Sequence, residues 1–242
     1  MDKIINTIFS DKKIVVITGA GISTLSGLND FRGNNGLYKK HKNLEWKLSI
    51  DCLVEEPDEF YNFYKNNLLM LNIEPNVIHE TLFRLEEKGY IDYIITQNID
   101  GLHQKAGSKN VIELHGNGER FYCTKCKEEY DINDYLKGYV CDKCNGLIRP
   151  DIVLYGEKVK TKDNVLAKEK MIQADVVLVL GSSLMVSTIR SLLNEYIKSK
   201  KVETNPEQLI IINDDITIYD QVGLKYTNEL ESVFRRIRKH QN

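Results

Sequence analysis

Two short apolar runs, each halted by glycine, limit what this chain can fold into more than any other feature. Residues 13–18 read KIVVIT and stop at Gly19, and residues 175–180 read DVVLVL and stop at Gly181. β-Branched residues and leucines without polar alternation suit strands buried on both faces, and such strands belong to parallel sheets. Further strands are expected at 93–96, 111–114 and 208–212, the last stopped by Asn213. Segments with apolar residues at helical spacing are found at 60–71, 76–88, 189–199 and 229–239. Strands alternating with helices predict an α/β fold, a mainly parallel sheet with helices on both faces.

The alternation breaks between residues 119 and 148, a polar, tyrosine-rich segment. It holds Cys123-x2-Cys126 and, 14 residues later, Cys141-x2-Cys144. Two such pairs suit a tetrahedral Zn²⁺ site, and four cysteines leave no open position, so the metal is expected to be structural. Two disulfides or an iron–sulfur cluster are the alternatives. Over residues 120–145, Arg120, Lys125, Lys127, Lys137 and Lys143 are matched by Glu128, Glu129, Asp131, Asp134 and Asp142. The module therefore lacks the basic patch that nucleic acid requires. Cys52 is the spare thiol and is expected to pack as a small hydrophobe. A second irregular stretch, 28–50, is basic at 38–42 and holds the only tryptophan, Trp46.

With 242 residues the chain can form one large domain, or one with a small satellite. Lys plus Arg total 33 and Asp plus Glu 35, a formal charge of −2, which argues against a general nucleic-acid coat. The longest apolar stretches, 14–17 and 176–180, fall far short of the ~20 residues a bilayer demands. The N-terminus carries no apolar h-region or small-residue cleavage site. Paired cysteines without an export signal make the cytoplasm the expected compartment.

Thr18-Gly19-Ala20-Gly21-Ile22-Ser23 leads straight out of the first strand. Glycine there lets the backbone approach a dinucleotide's phosphates, and the N-terminus of the next helix points its free N–H groups at the anion. Thr24 stands where G-x-G-x-x-G would end, and no acidic residue closes a strand ~20 residues on, so this is not the dehydrogenase fingerprint. A tight turn after a buried strand is the alternative. Two more strand ends, Gly181-Ser182-Ser183 and Asn213-Asp214, could line the same cleft. A carboxylate at Asp214 suits a ribose diol and repels a 2′-phosphate, favouring NAD over NADP.

The run Gln97-Asn98-Ile99-Asp100 puts amides and a carboxylate beside that cleft. His115 ends a strand and precedes Gly116, a place suited to a general base. His103 follows the amide run; His79, on an amphipathic helix, reads as structural; His41 and His240 carry no signal.

Taken in order, these motifs resemble the sirtuin family of NAD-dependent protein lysine deacylases. Gly19-Ala20-Gly21-Ile22-Ser23 matches its GAGIS, Asp30-Phe31-Arg32-Gly33 its DFRG, and residues 96–103 its TQNIDGLH. His115-Gly116, the four cysteines, residues 149–157, Gly181-Ser182-Ser183-Leu184 and Ile212-Asn213 follow in family order. The resemblance implies a Rossmann-like NAD-binding large domain of residues 1–27, 76–118 and 149–242. It implies a small domain made of a helical insertion, 28–75, and a zinc-ribbon module, 119–148. Gly19, Ala20, Gly21, Ser23, Thr24, Asp30, Phe31 and Arg32 would surround the NAD phosphates and nicotinamide ribose. Gln97, Asn98, Ile99 and Asp100 would hold that ribose and the carboxamide, with Asn98 also catalytic. Gly181, Ser182, Ser183, Asn213 and Asp214 would hold the adenosine half. His115 would be the general base, touching the ribose. Val153, Tyr155, Gly156 and Val186 would clamp an acyl-lysine peptide as an added strand. The acyl group would pass to ADP-ribose, releasing nicotinamide and O-acyl-ADP-ribose. A monomer acting on acyl-lysine proteins or peptides is expected, with one structural Zn²⁺ and no direct contact with nucleic acid or membrane.

Four positions depart from the family pattern. Asn29 replaces a proline, which predicts a looser cofactor loop. Ser182 replaces threonine, Tyr155 replaces phenylalanine, and Thr188 replaces a proline. Tyr61 and Tyr64 fall where relatives that prefer acidic acyl chains carry tyrosine and arginine in the acyl pocket. Without the arginine, neutral acyl groups are expected over succinyl. A protein ADP-ribosyltransferase or an NAD glycohydrolase could use the same NAD site, and a non-enzymatic zinc-ribbon module is a further alternative.

Overall fold

Five buried residues in a row place β1 (Ile14–Thr18) at the centre of a sheet. The computed structural model describes residues 2–33, 36–214, 216–227 and 230–240. After β1 come β2 (Tyr93–Thr96), β3 (Val111–Glu113), β4 (Gly116–Cys123) and β5 (Glu129–Tyr130). β6 (Ile148–Ile152), β7 (Val176–Leu180), β8 (Leu209–Ile212) and β9 (Leu224–Tyr226) complete the set. Six of them form one sheet in the order β3-β2-β1-β7-β8-β9, with every neighbouring pair parallel. The other three form an antiparallel sheet, β5-β4-β6.

Helices cover both faces of the large sheet, as its two-sided burial requires. On one face α1 (Asp2–Ile8), α6 (Val77–Glu87) and α11 (Leu230–His240) bring Ile4, Leu82 and Phe234 against Val16, Ile94 and Leu178. On the other, α9 (Thr161–Gln173) and α10 (Ser187–Lys200) bring Met171, Leu193 and Tyr196 against Val15, Ile17 and Val179. A third core lies apart from both. There α4 (Ile50–Glu55) and α5 (Pro57–Asn67) pack Cys52, Phe60 and Tyr64 against Phe121, Tyr135 and Ile148 of the cysteine-bearing segment. Short helices α2 (Leu37–Lys40), α3 (Leu44–Lys47), α7 (Leu102–Lys105) and α8 (Ile132–Lys137) fill the connections.

The expected helix at 60–71 instead starts at Pro57, whose fixed φ suits a first helical position, and ends at Asn67. The expected start at Glu229 lies outside the described residues. Helix α9 was not expected, because it buries only Ala167 and Met171 and shows no apolar stripe. Strand β9, half-buried at all three residues, was likewise not expected.

His79 has the structural role read from its sequence position. It closes a capping box at the start of α6, its Nδ1 accepting from the Asn76 N–H at 3.3 Å. Burial pushes its pKa down to about 4. On unfolding the ring returns to the ordinary range near 6.5 and binds a proton that the folded chain refuses. Stability is therefore expected to fall as pH drops from about 6.5 towards 4, by about 2 kcal/mol for this group near pH 5. Urea unfolding near pH 7 and pH 5 measures the fall, and His79→Gln should make it smaller.

Candidate active site

The carboxyl ends of β1 and β7 meet where the chain connections leave the sheet in opposite directions, the place where open α/β sheets take ligands. Gly19 N–H donates to Leu180 O at 3.0 Å and Gly21 N–H to Gly181 O at 2.9 Å. A Cβ on Gly19 or Gly21 would approach the Gly181 carbonyl oxygen to 2.7 or 2.8 Å. Gly181 itself has φ +58°. Glycine is required on both sides of this contact. The turn after β1 is a short 3-10 helix, Ala20–Ser26.

A cleft of about 840 Å³ opens above these turns. Gly19, Ala20, Gly21, Asp30, Phe31 and Arg32 line one side, and Gln97, Asn98, Ile99 and His115 the strand ends beside it. Gly181, Ser182, Ser183 and Asn213 line the β7–β8 end, and Val153, Tyr155, Gly156 and Val186 the remaining rim. The other expected residues sit elsewhere. Ser23 and Asp100 are buried behind the wall, joined by a 2.7 Å bond from the serine hydroxyl. Thr24 is exposed and donates to Gly21 O, because the 3-10 turn carries it outward. Asp214 is exposed and does not line the cleft.

The amide run is held from below by side chains of the central strands. Thr18 donates to Thr96 Oγ1 at 2.9 Å, and Thr96 Oγ1 accepts from Asn98 N–H at 3.0 Å. His103, fully buried, touches Thr18 through Nε2 at 3.0 Å. Gln97 Nε2 donates to Ser182 Oγ at 2.8 Å, joining the ends of β2 and β7. Asn98 Nδ2 donates to Gly19 O and Ser23 Oγ, each at 3.2 Å. Burial raises the Asp100 pKa, against the hydrogen bonds from Ser23 and the Leu102 N–H.

His115 Nδ1 lies 3.0 Å from Gln97 O. A carbonyl only accepts, so the proton sits on Nδ1 and Nε2 is the basic atom. Burial lowers the His115 pKa, partly offset by that hydrogen bond, so the ring is neutral at pH 7. Gly116, at φ +78°, turns the chain where a Cβ would strike Asp151 O at 2.0 Å. The rim segment is braced by Arg149, whose guanidinium makes a two-pronged pair with Glu157 at 2.6 and 2.8 Å and reaches Ile152 O.

Leu48, Leu68, Ile152 and Leu154 also line the cleft. Nothing in their sequence context marks them, since the fold brings them in from separate elements. Tyr61 and Tyr64 do not line it, which corrects their expected place in an acyl pocket. Both face the third core: Tyr61 OH donates to Tyr135 O at 3.1 Å, and fully buried Tyr64 donates to Gly118 O at 3.3 Å.

The four thiol sulfurs of Cys123, Cys126, Cys141 and Cys144 lie within 4.8 Å of one another. Pairs stand 3.4, 3.5 and 3.6 Å apart. These spacings exclude disulfides and approach the ~3.8 Å edge of a tetrahedron of about 2.3 Å Zn–S bonds. Each CxxC pair is followed by a left-handed residue, Lys127 or Asn145, that folds the loop back on its cysteines. The donor set therefore fits structural zinc, and none of the four lines the cleft. Metal analysis is expected to find one zinc per chain. Stripping it with a chelator should lower the melting temperature by ~10 °C, the effect of losing about 3 kcal/mol in a chain this size.

The Sir2 family model matches residues 19–188. An NAD-dependent protein deacetylase of Thermotoga maritima is 41% identical over 98% of this chain and 96% of its own. One from Staphylococcus epidermidis is also 41% identical, over 94% and 92%. A Sir2 structure with deacetylated p53 peptide and 3′-O-acetyl-ADP-ribose superposes with a TM-score of 0.91 at 40% identity, covering 99% of this chain and 98% of that one. A Sir2 structure with p53 peptide and NAD⁺ gives 0.88 at 39%, with the same coverage. With matches of this identity along nearly its whole length, the chain belongs to the Sir2 family.

Proposed function

We propose that the cleft takes NAD and an acyl-lysine peptide, and that the chain is an NAD-dependent protein lysine deacetylase. The observation that carries this reading is His115, a neutral strand-end imidazole whose protonated Nδ1 is fixed on Gln97 O in the wall of the cleft. Bound NAD supplies an electrophilic ribose carbon, which gives up nicotinamide and accepts the acyl oxygen. His115 draws a proton from the ribose hydroxyls through Nε2. Asn98, held by Gly19 O and Ser23, orients the reacting groups, and buried Asp100 closes the nicotinamide end. Gly19, Ala20, Gly21, Phe31 and Arg32 take the phosphate side, with Ser23 and Thr24 shaping the turn beneath. Gly181, Ser182, Ser183 and Asn213 take the adenosine side, and Asp214, exposed beyond the cleft, takes no part in it. Val153, Tyr155, Gly156 and Val186 clamp the peptide.

In this reading residues 1–27, 76–118 and 149–242 form the NAD-binding domain, and 28–75 with 119–148 the small domain above it. The core shared by Cys52, Phe60, Phe121 and Tyr135 supports that pairing. Thiols held for zinc suit a reducing cytoplasm, and a cleft complete within one chain suits a monomer.

Mixing the protein with NAD and an acetyl-lysine peptide should give free lysine peptide and O-acetyl-ADP-ribose in equal amounts by mass spectrometry. His115→Ala should lower both by ~100-fold or more. The acid limb of kcat/KM should fall below pH ~6.5, because burial depresses the base. NAD consumption without peptide turnover would shift the reading to ADP-ribosyl transfer or NAD hydrolysis. Acyl choice follows from the apolar lining, in which Leu48, Leu68, Ile99 and Ile152 offer no partner to a carboxylate. Acetyl or propionyl peptides should outpace a succinyl peptide by ~10-fold or more in a side-by-side assay.

A further inference from the structure

Asn29 and Tyr155 depart from the family pattern on opposite sides of the cleft, and both connect to α2. On the loop side, Lys40 Nζ donates to Asn29 Oδ1 at 2.8 Å. Leu37 and Tyr38 N–H donate to Asp30 O and Phe31 O, both at 3.0 Å. The Arg32 guanidinium lies over the Tyr38 ring, 4.8 Å from its centroid. Helix α2 thus holds the segment that brings Asp30, Phe31 and Arg32 into the cleft wall. On the rim side, the Tyr38 and Tyr155 hydroxyls are hydrogen-bonded to each other. Tyr38 OH also lies 3.2 Å from Glu45 Oε1. A carboxylate only accepts, so the Tyr38 proton goes to Glu45 and Tyr155 donates to the Tyr38 oxygen. Burial raises the Tyr38 pKa, which keeps the phenol protonated. Tyr155 is pinned in turn by its N–H to Leu48 O at 2.9 Å and its carbonyl to Ile50 N–H at 3.0 Å. Tyr38 itself does not line the cleft.

We propose that Tyr38 is a positioning residue that ties the nucleotide-side loop, residues 29–32, to the peptide-side rim segment after β6 through the Tyr155 hydroxyl. Nucleotide affinity in this chain then depends on a hydroxyl that the family's phenylalanine lacks. A loop with asparagine in place of proline has more freedom to lose on binding, and contacts that hold it beforehand reduce that loss. The inference rests on reading the cleft as the NAD and acyl-peptide site.

Calorimetric titration of ADP-ribose into the unaltered chain, Tyr155→Phe, Tyr38→Phe and the double variant tests it. Both changes keep the ring, and thermal melting checks that each variant folds. Each single change is expected to weaken binding roughly two- to tenfold, the range for one lost hydrogen bond. The double variant should be no weaker than the weaker single, as for a shared contact. Unchanged affinity in Tyr155→Phe, losses that add in the double variant, or no ADP-ribose binding by the unaltered chain would overturn the inference. The titration needs no turnover. A chain that shows the expected pattern yet leaves acetyl peptide untouched would therefore uphold the tie and overturn the deacetylase reading.

Discussion

Gly21 N–H reaches Gly181 O at 2.9 Å across the ends of β1 and β7, at a distance that leaves no space for a Cβ on either partner. That contact sets the floor of the cleft. Two strands buried on both faces run parallel into it, and their glycine turns stop the backbone before it can cover the opening. A methyl group on either turn would part the strand ends. Ser182 would then lose register with Gln97, whose side chain joins the end of β2 to that of β7.

A second layer hangs from this floor. Thr18 and Thr96 are polar residues in otherwise apolar strands, and burial forces them to satisfy each other. Thr96 thereby presents an oxygen to the Asn98 N–H, and the loop that carries Asn98 and Asp100 starts from a fixed point. His115 is held from the same loop by Gln97 O. The Arg149–Glu157 pair braces the opposite rim, with the arginine side chain 4% exposed. The base, the amides and the rim are therefore held by groups that do no chemistry themselves, the arrangement that keeps a reacting geometry narrow.

Much of this was readable along the chain. Unbroken apolar runs at 14–17 and 176–179, β-branched at every position but Leu178 and stopped by a glycine turn, announce central strands, because their short length and branching suit a strand buried on both faces. The cysteine pairs announce their cluster, because short CxxC spacing already fixes half of each ligand set. Other parts were not readable. Helix α9 shows no periodic stripe because it buries little. Tyr61 and Tyr64 were expected at the cleft by analogy of position, but the turn of α5 directs them into the core beneath the cysteine module. Asp214 follows cleft residue Asn213 and Thr24 stands three positions after cleft residue Gly21, yet both are exposed and neither lines the cleft.

The class of sheet, the glycine turns, the metal ligands and the family are all legible along the chain. Each of these depends on residues a few positions apart, or on backbone freedom that one residue type supplies. Packing in three dimensions settled which side chains share the cleft. It brought Leu48, Leu68 and Ile152 together from the ends of α3, α5 and β6, and it set Tyr38 against Tyr155 across 117 positions. Contacts of that separation arise from packing layers against one another, and no local pattern in the chain encodes which faces will meet.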